Sequence, residues 1–257
     1  MACNKDIHKA KTEGCAGIMI ILSNVNMRFN DLVVMENFYG EFEENKINCI
    51  LGPSGCGKTT LLNLLSGILN EDSGQITKPN RISCVFQEES FIPQKTARKN
   101  LELVLKSVYK DKTELRRIID KFLLISDLEK SAELYPHEMS GGMRQRLALI
   151  RAFAYPSDIL LLDEPFKALD IMLRDSLIES FLNLYEDDKR TVIFVTHDID
   201  EALMMGDFIY VYSHKPLNLQ KIFTVEENRN ARKLYGDNLT KIKKEIYQET
   251  EKWQLGK

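Results

Sequence analysis

A run of eight residues from Gly52 to Thr59 has the residue types that bind phosphate groups. It reads Gly-Pro-Ser-Gly-Cys-Gly-Lys-Thr and follows an apolar stretch that ends at Leu51. Glycines let backbone N–H groups turn inward around phosphate oxygens, Lys58 reaches the β- and γ-phosphates, and the Thr59 hydroxyl ligates Mg²⁺. The sequence therefore predicts a site for a nucleoside triphosphate. Its phosphate-binding residues are Gly52, Pro53, Ser54, Gly55, Cys56, Gly57, Lys58, Thr59 and Thr60.

Two acidic residues and a histidine follow other apolar runs. Asp163 and Glu164 come after 159–162, and His197 comes after 191–195. Adjacent strand residues point to opposite sides, so we expect Asp163 to hold Mg²⁺ through water and Glu164 to polarise the attacking water. His197 is predicted to donate to the γ-phosphate, because ligands gather at the carboxyl ends of strands in open α/β sheets. Without this context, the acidic pair would indicate a solvated turn and the histidine a structural residue.

Two further residues of the chain are candidates for contact with a nucleotide, and one residue of the loop is a candidate for an activated thiol. Gln87 follows the strand predicted at 81–86, and its side-chain oxygen suits Mg²⁺ or the attacking water, although alone it would be a surface glutamine. The aromatic ring of Phe29 is compatible both with stacking on an adenine ring and with a place in the core. Cys56 lies inside the loop, where a helix N-terminus is expected to lower its pKa.

A second glycine pair, Gly141 and Gly142, lies far from the first loop. It follows Ser140 at the start of a helix predicted at 143–153, where free N–H groups and the positive end of the helix dipole favour an anion. A protein with one nucleotide needs only one phosphate loop. Residues 140–142 therefore have the character of half of another nucleotide site.

The elements that position these residues alternate between strand and helix. Strands are predicted at 18–29, 46–51, 81–86, 159–162, 191–195 and 208–212, and helices at 58–69, 96–109, 112–125 and 143–153. Asp111 and Glu114 have the spacing of a capping box before the third helix. Continuous apolar runs are typical of buried parallel strands. We expect an α/β fold with a mostly parallel sheet and a helical insertion at about 88–155.

Composition and charge exclude several classes of protein. The chain has 257 residues and a net charge of -3, so nothing indicates a nucleic-acid partner held by bulk electrostatics. Its five cysteines form no CxxC pair, which favours reduced cytosolic thiols over disulfides or zinc. No apolar run approaches the roughly 20 residues that span a bilayer, so we expect any membrane role to be peripheral.

The two ends of the chain have a different character from the middle. Residues 1–17 are polar, of mixed charge and without a signal-peptide core, so they are predicted to be a disordered tail, with Met1 or Met19 as the true start. Residues 216–257 are polar and rich in lysine and glutamate, which predicts a helical extension of one or two surface helices.

In their order, these motifs resemble those of the ATP-binding cassette family over residues 20–213. The matching segments are the phosphate loop, Gln87, 139–143 (similar to LSGGQ), 162–165, 168–170 and His197. The resemblance implies a P-loop NTPase core over 18–215, with N-terminal antiparallel strands and a helical signature subdomain. It also implies an ATPase that uses Mg²⁺ and forms a head-to-tail homodimer on binding ATP. Ser140, Gly141 and Gly142 would then contact the γ-phosphate held by the other copy, and Asp170 would lie at the same interface.

Residues 140–146, 91–93 and Phe166 resemble the branch that serves nitrate, sulfonate, taurine and thiamine-precursor importers. That branch implies a transmembrane permease pair, an extracytoplasmic solute-binding protein and a position on the cytoplasmic face of the cell membrane, with a soluble chain when isolated. The chain departs from the family pattern at four positions, which are Met139 for leucine, Lys167 where glycine is common, Gln94 where tryptophan is frequent, and Phe29 for tyrosine.

Other classes of function remain as alternatives. The chain could serve another importer branch. A cassette of DNA repair, chromosome organisation or the ribosome would carry a coiled coil, a zinc insertion or a second cassette, whereas only 52 residues separate Gln87 from Ser140. A degenerate regulatory cassette would have lost Lys58, Glu164 or His197, and all three are present.

Overall fold

Two sheets form the scaffold of the chain in a computed structural model, which describes residues 18–86, 90–167, 169–234 and 236–255. The smaller sheet is antiparallel, in the order β2-β1-β4. The larger has the order β5-β6-β7-β3-β8-β9, and its strands are parallel except for β9. The strands are β1 (Ile18–Phe29), β2 (Leu32–Glu43), β3 (Ile47–Leu51), β4 (Ser73–Thr77), β5 (Ile82–Val85), β6 (Ile159–Asp163), β7 (Thr191–Thr196), β8 (Phe208–Tyr212) and β9 (Leu219–Thr224).

Helices cover both faces of the larger sheet. They are α1 (Lys58–Ser66), α2 (Ala97–Leu105), α3 (Lys112–Ile125), α4 (Gly141–Ala154), α5 (Ile171–Asp187), α6 (Ile199–Met205) and α7 (Asp237–Leu255). Every residue of β3, β6 and β7 is buried. Their alternate side chains enter two separate cores, so that Leu161 packs in the core of α1, whereas Leu160 and Leu162 pack in that of α4 and α5. This explains why the sequence has continuous apolar runs there.

The expected α/β class and the mostly parallel sheet are confirmed. The third predicted helix matches α3 at both ends, because the Asp111 carboxylate accepts from the backbone N–H of Glu114 at 2.8 Å and caps it. Predicted strands also agree within two residues, and 208–212 is a strand as expected.

Three strands differ from what the residue pattern indicated. No strand was predicted where β4 lies, because four of its five residues are exposed and it has no apolar pattern. The sequence predicts β2 only through the family resemblance, because register shifts against β1 interrupt the alternation of buried and exposed residues along this strand. Part of the predicted helical extension is not helical, because it forms the strand β9, which pairs with β8. The boundaries at 88–155 and 216–257 stay predictions, and residues 1–17 lie outside the described residues.

The carboxyl ends of three adjacent strands converge at one edge of the larger sheet. β6, β7 and β3 are neighbours in that order. The phosphate loop follows β3, Asp163 ends β6, and His197 follows β7. Parallel pairing therefore brings together residues that lie more than a hundred positions apart along the chain.

Candidate active site

The predicted phosphate loop lies between β3 and α1. Gly57, directly before α1, has a φ of 119°, and a Cβ there would lie 2.8 Å from Cγ1 of Val34, so both backbone and space require glycine. The Lys58 side chain is buried, and its Nζ donates to the carbonyl oxygens of Gly52 at 2.7 Å and Pro53 at 3.0 Å. An ammonium held inside a loop at a helix N-terminus can bind a phosphate.

Thr59 and Asp163 form a pair of oxygen donors beside the loop. The Asp163 side chain is buried, and it accepts a hydrogen bond from the Thr59 hydroxyl. Burial raises the pKa of Asp163 above its ordinary value, although the Thr59 hydrogen bond and the Lys58 charge act in the opposite direction. Mg²⁺ prefers oxygen ligands and is typically held by one or two carboxylates, waters and substrate phosphates. The pair therefore fits a magnesium ion that accompanies a bound triphosphate.

Glu164 lies at the end of β6 in a conformation that is uncommon for glutamate. Its φ is +46°, and its backbone N–H donates to the carbonyl of Val195 on β7 at 3.0 Å. Its Oε1 accepts from Nδ1 of His197 at 3.3 Å, and Nζ of Lys167 lies 2.6 Å from its Oε2. Partial burial raises the pKa of Glu164, but the contacts with Lys167 and His197 outweigh it, so the pKa lies below its ordinary value.

A hydrogen-bonded turn supports His197, half of whose side chain is exposed. The Thr196 hydroxyl donates to the buried Glu201 carboxylate at 2.6 Å and accepts from the backbone N–H of Asp198 at 3.0 Å. Nη1 of Arg174, on α5, donates to the Asp198 carboxylate at 2.9 Å. These contacts fix the segment that carries His197. Sequence reasoning missed them, and only the N-cap position of Asp198 before α6 gave a signal.

The second glycine pair lies at the N-terminus of α4, which packs against α2, α3, α5 and β5. The Ser140 hydroxyl accepts from the backbone N–H of Met143 at 3.3 Å. A Cβ at Gly142 would lie 2.6 Å from Cδ1 of Leu173, so packing requires glycine there. Gly141 is exposed, and a Cβ there would meet nothing closer than Nη2 of Arg144 at 4.0 Å. Packing inside this chain therefore does not account for Gly141.

The remaining candidates have varied surroundings. Asp170 is exposed and caps α5 by accepting from the backbone N–H of Leu173 at 2.9 Å. Phe29, at the end of β1, is 43% exposed, so it is not a core residue. Gln87 lies outside the described residues.

The expectation of an activated thiol at Cys56 is wrong. Its side chain is only 1% exposed, and burial raises the pKa of the thiol despite the nearby Lys58 charge. The helix N-terminus does not compensate for the loss of water around this sulfur.

The fold and this edge of the sheet define a P-loop nucleoside triphosphatase. A phosphate loop joins the buried strand β3 to α1. A buried aspartate, Asp163, ends β6, which is separated from β3 by one strand. No helix in the described residues is long and apolar enough to cross a membrane.

Residues 35–167 match the family described as ABC transporter, and the chain belongs to that family as an ATP-binding, ATP-hydrolysing subunit. The aliphatic sulfonates import ATP-binding protein SsuB of Bacillus cereus is 38% identical over 231 residues, which are 85% of this chain and 88% of the relative. The nitrate import ATP-binding protein NrtD of Synechococcus elongatus is 37% identical over 195 residues, or 72% of this chain and 71% of the relative.

Solved structures agree with this assignment. The dimeric structure of the bacterial ABC transporter cassette MJ0796 has a TM-score of 0.72 and 30% identity, and covers 82% of this chain and all of that chain. The same cassette in a dimeric post-hydrolysis state bound to ADP and Pi has a TM-score of 0.71 and 29% identity with the same coverage. The P-loop fold predicted from the motifs is therefore confirmed.

Proposed function

We propose that this chain is the ATPase subunit of an importer for a small polar solute of the sulfonate or nitrate type. The relatives named above are import ATP-binding proteins that match most of this chain. The observation that carries the proposal is the division of the nucleotide-binding groups between two surfaces. Lys58, Thr59 and Asp163 lie at one edge of the sheet, whereas Ser140 and Gly141 lie exposed at the start of α4.

Each ATP would be bound between two copies of the chain. The loop from Gly52 to Thr60 holds the phosphates, Phe29 stacks on the adenine, and the partner's Ser140 to Gly142 reach the γ-phosphate. Asp170 lies at the same interface. Dimeric structures of a related cassette support this arrangement. Closing and opening of such a pair would convert ATP binding and hydrolysis into movement of an attached protein.

The hydrolytic step uses residues that end or follow four different strands of the chain. Thr59, Asp163 and Gln87 would hold Mg²⁺, which would neutralise charge on the phosphates. Glu164 accepts a proton from the attacking water, Lys58 stabilises the β- and γ-phosphates, and His197 donates to the γ-phosphate. Phosphoryl transfer depends mainly on positioning and charge neutralisation, which these groups supply.

The partners of the dimer would be a transmembrane permease pair and, indirectly, an extracytoplasmic solute-binding protein. The chain would therefore work at the cytoplasmic face of the cell membrane. Gln94 and Lys167, which depart from the pattern of this branch, favour a different importer branch as the second candidate.

The proposal is tested by capture and uptake in the native cell. A tagged chain is expected to retain a permease from detergent-solubilised membranes, and vesicles with the captured complex and its binding protein should take up labelled taurine or nitrate with ATP. The Lys58→Ala variant is the matched control, since it should capture the same permease without supporting uptake. Failure of both proteins to retain any permease would contradict the importer assignment. Uptake of neither solute by a complete complex would favour another branch.

A further inference from the structure

A lysine lies against the carboxylate that we assign to the attacking water. Nζ of Lys167 is 2.6 Å from Oε2 of Glu164, and the Lys167 side chain is 44% exposed whereas that of Glu164 is 11% exposed. Water therefore reaches the lysine of this ion pair, whereas the carboxylate is largely buried.

Lys167 lies against the Glu164 oxygen that His197 does not contact. Oε1 of Glu164 faces Nδ1 of His197, and Oε2 faces Lys167. A carboxylate that polarises a water must accept a hydrogen bond from it through one of these two oxygens. The separation of 2.6 Å makes this contact an ion pair, although Oε2 accepts no hydrogen bond of good geometry. The ammonium, 2.6 Å from Oε2, therefore crowds the carboxylate that the attacking water must approach.

The backbone keeps Lys167 within reach of Glu164. The N–H of Lys167 donates to the carbonyl of Glu164 at 3.2 Å, which closes a tight turn directly after β6. Glu164 itself is held in its left-handed conformation by the hydrogen bond to Val195. The contact therefore follows from the local turn and needs no ligand to form.

We propose that Lys167 restrains Glu164 in the resting cassette and that ATP hydrolysis requires this ammonium group to leave the carboxylate. The proposal rests on the function proposed above, because it takes Glu164 as the group that polarises the water. Lys167 is a positioning residue that acts through Glu164. It lies three residues before Asp170, so a partner cassette that closes on Asp170 reaches the exposed ammonium and displaces it.

The test compares steady-state ATP hydrolysis by four forms of the full chain. Lys167→Met keeps the apolar stem and removes the charge, whereas Lys167→Arg keeps the charge. Lys189→Met is the matched control, because Nζ of Lys189 lies 3.0 Å from Oε2 of Glu186 at the same spacing, in an ion pair away from the phosphate loop. The fourth form is the unaltered chain.

We expect Lys167→Met to raise kcat by about two- to fivefold, the rate change that corresponds to loss of one half-exposed ion pair. The KM for ATP should stay the same, because the loop around Lys58 is unchanged. Lys167→Arg should remain slower than Lys167→Met, and Lys189→Met should match the unaltered chain. An unchanged or lower kcat in Lys167→Met would overturn the proposal, and a raised KM would assign the ammonium to the nucleotide instead.

Two further measurements separate this inference from others. Lys167→Gln provides a second charge-free variant, with melting temperature and fluorescent-nucleotide binding as checks of folding. In a Glu164→Gln background, Lys167→Met should give no acceleration, and an acceleration there would show that Glu164 is not the restrained group. None of these readouts needs a permease, so failure to capture one would contradict the importer assignment without affecting them.

Discussion

At the scale of single residues, the groups that we propose to bind ATP and those that we propose to hydrolyse it form two separate sets of contacts. Lys58, Thr59 and Asp163 contact each other or the loop carbonyls, whereas Glu164 contacts His197 and Lys167. Both groups of residues lie at the same edge of the sheet, but few contacts join one group to the other. A substitution in the second group should therefore alter turnover with little effect on nucleotide affinity.

Glu164→Gln is expected to lower the rate of ATP hydrolysis by about 100-fold or more, because general-base catalysis contributes that much and an amide cannot take the proton. ATP affinity should remain, and the variant should accumulate as an ATP-bound dimer, as measured by equilibrium binding and gel filtration. Glu186→Gln is the control, since it removes another carboxylate that pairs with a lysine three residues away. Normal turnover by Glu164→Gln would remove the catalytic role.

The site could be predicted from sequence only where type and spacing carry the signal. The phosphate loop and Asp163 follow apolar strands, and parallel strands end at one edge. The contacts of Lys167 with Glu164 and of Arg174 with Asp198 depend on turns and on packing of α5, which no spacing encodes. The pKa of Cys56 was misjudged because sequence places it at a helix start but does not reveal its burial.

At the scale of elements, the N-termini of α4 and α5 meet where Gly142 packs on Leu173. Each helix is capped by an exposed residue, Ser140 or Asp170. Sequence predicted α3 to the residue because its cap and its apolar face coincide, whereas β4 depends on its pairing with β1, far away in the chain, and β9 on its pairing with β8. Local signals thus define helices better than they define edge strands.

Gly142→Ala and Gly141→Ala should differ although they are adjacent. The added methyl group at 142 would meet Leu173 at 2.6 Å, so we expect a loss of about 1–3 kcal/mol in unfolding free energy. At 141 it meets nothing closer than Nη2 of Arg144 at 4.0 Å, so stability should be kept. ATP-dependent association should weaken, because we propose that this surface faces the partner's phosphate. Thermal unfolding and gel filtration with ATP measure the two effects. Equal stability of both variants would contradict the packing argument, and undiminished association of Gly141→Ala would contradict the role of this surface.

At the scale of the whole molecule, the C-terminal segment is part of the folded core. β9 pairs with β8, and the buried Arg232 guanidinium donates to the carbonyls of Leu203, Met204 and Gly206 near the end of α6. It also donates to the carbonyl of Val225, just after β9. Residues beyond 216 therefore hold the end of α6 against the larger sheet, at the amino ends of its strands, although their polar composition suggested only surface helices.

The dimer can be tested with two variants that are each inactive. Lys58→Ala removes the phosphate contact of one loop, and Ser140→Arg blocks the signature that would complete the other copy's site. Each variant alone has no intact composite site, whereas a mixed dimer has one, formed by the loop of the Ser140→Arg copy and the signature of the Lys58→Ala copy. ATP-dependent association and hydrolysis should therefore reappear on mixing. A mixture of Lys58→Ala with Lys58→Ala,Ser140→Arg is the control, because neither copy supplies a working loop. If mixing the single variants restores neither association nor hydrolysis, ATP is not shared between two copies of this chain.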